Sequence, residues 1–298
     1  MLTASSKKYE RRKGLALILR TGPGSSIQDQ GRILGSQFGI PSSGVMDQKS
    51  FFWVNHILQN SPNEAVLEVS SPGFMIQFDS PTLISIAGAT SSVKVNSKEE
   101  ANPSLIAIQE GDILEIGRFS LGSRIYLGIK GGFQSPIFLD SRSFFTSITG
   151  QSMIRKGDQL DFQAFNSSSI SPVKAKPRWN STWFEGNELE VFQGPDWHLL
   201  SQDQQEKICA TEFHLSKLSN RMGIQLEELV ENSLPELPTN PVFPGTIQLT
   251  SGGKLLILMR DAGVTGGYPR ILQLPEESVS LLSQKNPGQT IRFLVKDF

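Results

Sequence analysis

A mainly β architecture in two halves is the fold class this sequence predicts, on three observations. Short apolar or alternating runs recur along the chain, each bounded by Gly, Pro, Ser or Asp. Windows with helical spacing are few, which separates this cadence from a wound parallel sheet and points to a barrel or sandwich with a few short helices. A polar, Pro- and Ser-rich stretch, residues 166–177, divides the chain just past its middle, and 298 residues are enough for two cores.

Residues 1–13 read as a basic extension, since Lys7, Lys8, Arg11, Arg12 and Lys13 precede the apolar run Leu15-Ala16-Leu17-Ile18-Leu19. That run is shorter than a secretory core of about 7–15 residues and has no small-residue cleavage site, so it reads as the first strand. Residues 14–165 then form the first unit. Early in it, Gly31, Gly35, Gly39 and Gly44 free a polar loop to turn sharply or to bring N–H groups to an anion. Asp47 stands before Gln48, Phe51, Phe52, Val54, Asn55, Ile57 and Leu58, whose apolar members recur at helical spacing until Asn60-Ser61-Pro62 stops them. Asp47 is a preferred helix cap as well as a candidate acid. Asp29 and Arg32, outside any helical pattern, read either as a surface ion pair or as working groups.

After the acidic pair Glu64 and Glu68 come short strands: residues 74–78, 83–86, 93–95, 113–116 and 124–129. Glycine turns at Gly111, Gly157 and Gly288 each precede an alternating strand; the second closes the first half and the third closes the chain. With residues 166–180 as linker, the second unit is 181–298. It offers a strand at 189–192, a helix around 201–209, and a strand at 224–227 led by Ser219-Asn220-Arg221-Met222-Gly223. A buried strand at 254–260 delivers Asp261 at its end, followed by Thr265-Gly266-Gly267-Tyr268.

A formal net charge of -1 supplies no field for nucleic acid or an anionic membrane. The single cysteine, Cys209, cannot close an internal disulfide, and no run approaches the roughly 18 apolar residues of a membrane span, so a cytoplasmic protein is expected. His56, His198 and His214 are scattered without metal-ligand spacing, and no metal is expected.

Four ordered motifs together resemble the biotin-dependent carboxyltransferase family, which includes the C subunit of 5-oxoprolinase, the KipI antagonist and allophanate hydrolase subunit 2. They are the glycine loop with Asp29, Arg32, Ser43, Gly44 and Asp47; residues 124–132 followed by Ser141-Arg142-Ser143; Ser219-Asn220-Arg221-Met222-Gly223; and Pro244-Gly245-Thr246-Ile247-Gln248 with Asp261 and Thr265-Gly266-Gly267-Tyr268-Pro269. The resemblance covers nearly the whole chain after Gly14 and implies cyclophilin-like β-barrels. Relatives carry Gln and Thr where this chain has Gly263 and Val264, and Leu-Gly-Ser-Arg-Ser-Thr where it has Leu139-Asp140-Ser141-Arg142-Ser143-Phe144.

The activity implied is that of a component similar to the C subunit of an ATP-dependent 5-oxoprolinase, opening a small anionic lactam, 5-oxoproline, to glutamate together with the A and B subunits. Asp29, Asp47 and Asp261 are catalytic candidates to position a water or take a proton, and Tyr268 is a catalytic candidate whose phenol could donate to a developing oxyanion. Arg32, Arg142, Arg221 and Arg270 are candidates to grip the substrate carboxylate. Ser43, Gly44, Gln248, Thr265, Gly266 and Gly267 are candidate substrate donors. Gly252-Gly253-Lys254 lacks phosphate-loop spacing and no biotin-attachment sequence is present, so ATP is expected to be shared with partner proteins and biotin is not expected on this chain. The alternatives are a regulatory protein antagonising a KipI-like kinase inhibitor and a carboxyltransferase of the urea carboxylase or allophanate hydrolase type.

Overall fold

The structure is a computed structural model that describes residues 12–101, 103–165, 178–235 and 237–296. Most of the basic extension and residues 166–177 of the expected linker lie outside the described residues. The chain is mainly β, as expected, and falls into two sheet-based halves.

The first sheet has nine strands. They are β1 (Lys13–Arg20), β2 (Ser26–Gln28), β3 (Val66–Val69), β4 (Phe74–Phe78), β5 (Thr82–Val95), β6 (Lys98–Glu99), β7 (Ile106–Ile108), β8 (Ile113–Ile129) and β9 (Gln159–Gln163). Their path runs β2-β3-β8-β4-β1-β9, with β5 pairing β6, β7 and β8. Burial alternates along β1 and β4, the signature of strands with one face on a core. That core centres on Phe74, Ile76, Phe78, Ile84, Ile116, Ile125 and Phe162.

Two expectations are corrected here. Residues 83–86 and 93–95 are not separate strands but parts of β5, and residues 113–116 and 124–129 are both within β8. The glycines between them make irregularities rather than turns: β5–β8 pairing runs from Ile84↔Ile129 to Val95↔Leu114, with register shifts near Gly88 and Thr90. The basic extension also ends one residue early, because Lys13 opens β1, pairs with Gln163 and forms an ion pair with Asp161.

Helix α1 (Gln48–Ile57) lies across β5 and β8, and Gly128 permits the approach, since a Cβ there would sit 3.0 Å from Val54. A short α2 (Thr146–Thr149) follows. The second half contains β10 (Glu188–Gln193), α3 (Gln202–Ala210), β11 (Phe213–His214), β12 (Gly223–Leu229), β13 (Asn240–Pro241), β14 (Thr246–Leu249), β15 (Lys254–Leu258), β16 (Thr265–Gly266), β17 (Arg270–Gln273), α4 (Glu276–Ser283) and β18 (Thr290–Lys296). Its seven-stranded sheet runs β11-β18-β10-β17-β14-β15-β12, while β13 and β16 form a separate ribbon. Helix α3 opens with a Ser201–Gln204 capping box and carries the exposed Cys209.

The division between halves is less clean than the sequence suggests. Met46, from the first half, is fully buried in the second core among Leu189, Ile247 and Ile257. Trp179, assigned to the linker, is docked on the first half: its indole packs on Trp53 with ring centroids 5.4 Å apart, and its Nε1 donates to the Gly88 carbonyl at 2.9 Å. An indole with an available acceptor buries well, which polar linker composition concealed.

Candidate functional site

The glycine loop lies between the two halves and is tied to both. Gly44 has φ 90°, and a Cβ there would stand 2.8 Å from the Gln30 carbonyl, so only glycine fits. Ser43 N–H donates across the seam to the Arg260 carbonyl at 2.9 Å, and Val45 N–H donates to the Asp29 carbonyl at 2.9 Å.

Asp29 is buried and organises the loop around it. Its Oδ1 accepts from Gly31 N–H at 2.8 Å and from the Ser141 and Ser143 hydroxyls, each at 2.6 Å, while Oδ2 accepts from Arg142 N–H at 2.6 Å. Four donors on one carboxylate make a clamp between the first and second motifs. Arg142 reaches the clamp by its main chain; its guanidinium turns away to the Ser135 carbonyl and to Gln134 Oε1. Arg32, 1% exposed, donates from Nη2 to the Ser143 carbonyl.

The third and fourth motifs meet the loop through Arg221. Its Nη2 donates to the Gly44 carbonyl at 2.6 Å, its Nε to Asp261 Oδ2 at 2.8 Å, and its Nη1 to Glu68 Oε1 at 2.7 Å. Burial alone would lower the Arg221 pKa, but the Glu68 and Asp261 carboxylates overcome that and raise it, so the guanidinium stays charged. Asp261, just past the end of β15, keeps 13% of its side chain in solvent.

Beneath this pair lies a buried chain of polar groups. Glu68 Oε2 accepts from Met46 N–H and from the Tyr126 hydroxyl, both at 2.9 Å, and that hydroxyl in turn accepts from Asp47 N–H at 2.8 Å. Asp47 is the N-cap of α1, with Oδ1 accepting from Ser50 N–H at 2.9 Å; its Oδ2 accepts from Gln284, just past α4, at 2.8 Å. Burial pushes the Asp47 carboxyl up to about 6 against the opposing hydrogen bonds from Ser50 and Gln284. Burial, with the Glu68 and Asp47 charges, likewise holds the Tyr126 pKa well above its usual value.

Glu68, Tyr126 and Gln284 were not among the residues picked from sequence as site groups. The available signal was a charge inside the apolar run Ala65-Val66-Leu67-Glu68-Val69, all of it buried. A buried carboxylate demands partners, so such a position marks a hub.

The remaining candidates form a second group. Gln248 Nε2 donates to the Tyr268 carbonyl at 3.3 Å, and Thr265 and Gly266 pair with Pro241 and Asn240 in the β13–β16 ribbon. The Gly267 carbonyl accepts from Leu237 N–H, and Tyr268 is partly exposed. Arg270 is engaged by Asp196 at 3.0 Å and by the Pro241 carbonyl. Among the described residues no hydrogen bond or ion pair joins this group to the Arg221 cluster. Of that sequence motif, Asp261 alone bonds to Arg221, and the Arg270 side chain bonds within the second half.

Gly252 and Gly253 form the turn between β14 and β15, with Gly253 N–H donating to the Thr250 carbonyl; a hairpin turn does not present the strand-to-helix amides of a phosphate loop. Among the described residues no group of three or more His, Cys, Asp and Glu side chains is arranged to hold a metal ion. No described helix is long and apolar enough to cross a membrane.

Comparison with known proteins adds a family-level finding. The profile described as "Carboxyltransferase domain, subdomain A and B" matches residues 38–295. The C subunit of 5-oxoprolinase from Escherichia coli (strain K12) is 28% identical over 284 residues, spanning 93% of this chain and 90% of that protein. Urea amidolyase of Saccharomyces cerevisiae is 28% identical over 299 residues, which is 92% of this chain but 16% of that protein. The crystal structure of K. lactis urea amidolyase superposes with a TM-score of 0.83 at 26% identity, over 95% of this chain and 19% of that one.

Proposed function

The chain belongs to the family of carboxyltransferase domains built from subdomains A and B, and on that premise we propose that it plays the part of the C subunit in an ATP-dependent lactam hydrolase that opens 5-oxoproline to glutamate. The observation that carries the reading is the position of Arg221, whose one guanidinium ties Gly44, Glu68 and Asp261 at the seam between halves. Relatives of both kinds, the 5-oxoprolinase subunit and urea amidolyase, are 28% identical to this chain.

A lactam is a weak electrophile, so its opening needs a positioned base and donors aimed at the developing oxyanion. Asp261 is the acid that combines fixed geometry with access, and we assign it the proton of the attacking water, with Arg221 holding its orientation. Asp29 holds the loop in shape through its four donors. Asp47, fully buried as a cap, serves the framework and does not touch substrate.

Complex formation has its own support. Ile33, Leu34, Phe38, Ile137, Phe138, Leu139 and Met222 are exposed, and all lie on loops whose bases meet the Asp29–Arg221 cluster. Apolar side chains rimming a polar cluster suit a surface that a partner covers. Counterparts of the A and B subunits of 5-oxoprolinase are the partners proposed, with ATP handled jointly with them. The test is reconstitution: the chain alone gives no turnover, and the verified three-component complex releases glutamate from 5-oxoproline only with ATP. A verified complex that releases none overturns the reading.

A further inference from the structure

We infer that Arg32, together with the Ser43 hydroxyl, is the seat of a small carboxylate, an assignment that rests on reading the seam as the functional site. Three of the four arginines offered by the sequence are already engaged. Arg221 is held by Glu68, Asp261 and Gly44, Arg142 by Ser135 and Gln134, and Arg270 by Asp196 and Pro241. Arg32 differs. Its Nη2 donates to the Ser143 carbonyl, but Nε and Nη1 are buried without a hydrogen-bond partner in the protein. Unmade bonds on a buried guanidinium are costly unless a ligand completes them.

Ser43 supplies the second such group. Its Oγ is also buried and unpartnered, and its backbone is in the left-handed region at φ 53°. The two residues flank one loop base: Arg32 N–H donates to the Ser42 carbonyl at 2.6 Å, closing residues 33–41 into an Ω-type loop. That loop carries the exposed Ile33, Leu34 and Phe38, and with Arg32 1% exposed the protein must open locally for a ligand to reach it.

The surroundings select the charge of the ligand. Burial lowers the Arg32 pKa, and Asp29 and Asp261 oppose that through space, although neither forms an ion pair with it among the described residues. Two nearby carboxylates leave little net positive potential, which favours a singly charged carboxylate over a doubly charged phosphate.

Calorimetric binding to the assembled complex tests this without requiring turnover, using 5-oxoproline, 2-pyrrolidinone (the same lactam without its carboxylate) and inorganic phosphate. The expected result is binding of 5-oxoproline at least tenfold tighter than 2-pyrrolidinone, a preference lost in Arg32→Gln and reduced several-fold in Ser43→Ala. Arg32→Gln should also leave the thermal midpoint of the unliganded protein undiminished, because it removes an unpaired buried charge, whereas loss of a purely structural arginine would lower it. If Arg32→Gln does not fold, the lactam preference and Ser43→Ala still decide the matter. Equal binding of the two lactams, binding of neither, tighter binding of phosphate, or a preference unchanged by Ser43→Ala and Arg32→Gln overturns the assignment. A complex that binds 5-oxoproline through Arg32 yet releases no glutamate keeps this seat and removes the hydrolase reading; turnover unaffected by Arg32→Gln does the reverse.

Discussion

At the scale of single residues, the buried Asp47 carboxyl has a measurable consequence. Its folded pKa of about 6 lies above the ordinary 3.8, so the native state binds that proton more tightly than the unfolded chain. The resulting stability is present below about pH 4 and lost as pH rises through about 6, a contribution of ~3 kcal/mol. Asp47→Asn keeps a capping oxygen and removes the titration. Urea unfolding from pH 4 to 7 should show the wild type losing about that much more stability than the variant; parallel curves would disprove the assignment. Asp140 provides a second test. It sits at φ 60°, where the resembling family carries glycine. Asp140→Gly should therefore stabilise by up to about 1 kcal/mol, read as a higher urea midpoint.

At the scale of elements, the strongest local signals gave the clearest readings. Helix α1 was legible because helical spacing, an Asp cap and an Asn-Ser-Pro stop agree, and the structure places it at Gln48–Ile57 with Asp47 capping. The lengths of β5 and β8 were not legible, since a glycine inside a strand and a glycine between strands look alike until the partner strand is known. Trp179 was hidden for a related reason: its neighbours are polar, and its anchor, the Gly88 carbonyl, is distant in sequence. Trp179→Ala should cost about 2–3 kcal/mol, because it removes a half-buried indole and its hydrogen bond. Hydrogen exchange should show faster opening around Trp53 and Gly88, and unchanged protection there would mean that this segment does not brace the first half.

At the scale of the whole molecule, what the sequence could not reveal was which turns face one another. Asp29, Arg221 and Asp261 were each visible as charges beside glycines, but their grouping depends on how the halves pack. Among the described residues no hydrogen bond or ion pair joins Gln248, Tyr268 or Arg270 to that cluster, although Asp261 lies close to all three in the chain. Glu68 escaped because one charge in a strand reads as a solvent-facing slot of an alternating pattern, whereas all four positions of β3 are buried. Met46 in the second core and Arg221 on the first half's Glu68 bind the halves into one structure. The central claim is that this seam carries the chemistry. The most direct measurement is ATP-dependent glutamate release by the reconstituted complex containing Asp261→Asn, with Asp161→Asn on the surface ion pair of β9 as the control. A loss of at least about 100-fold at Asp261, with the control close to wild type, is the predicted result. Full activity in the folded Asp261→Asn complex would contradict it.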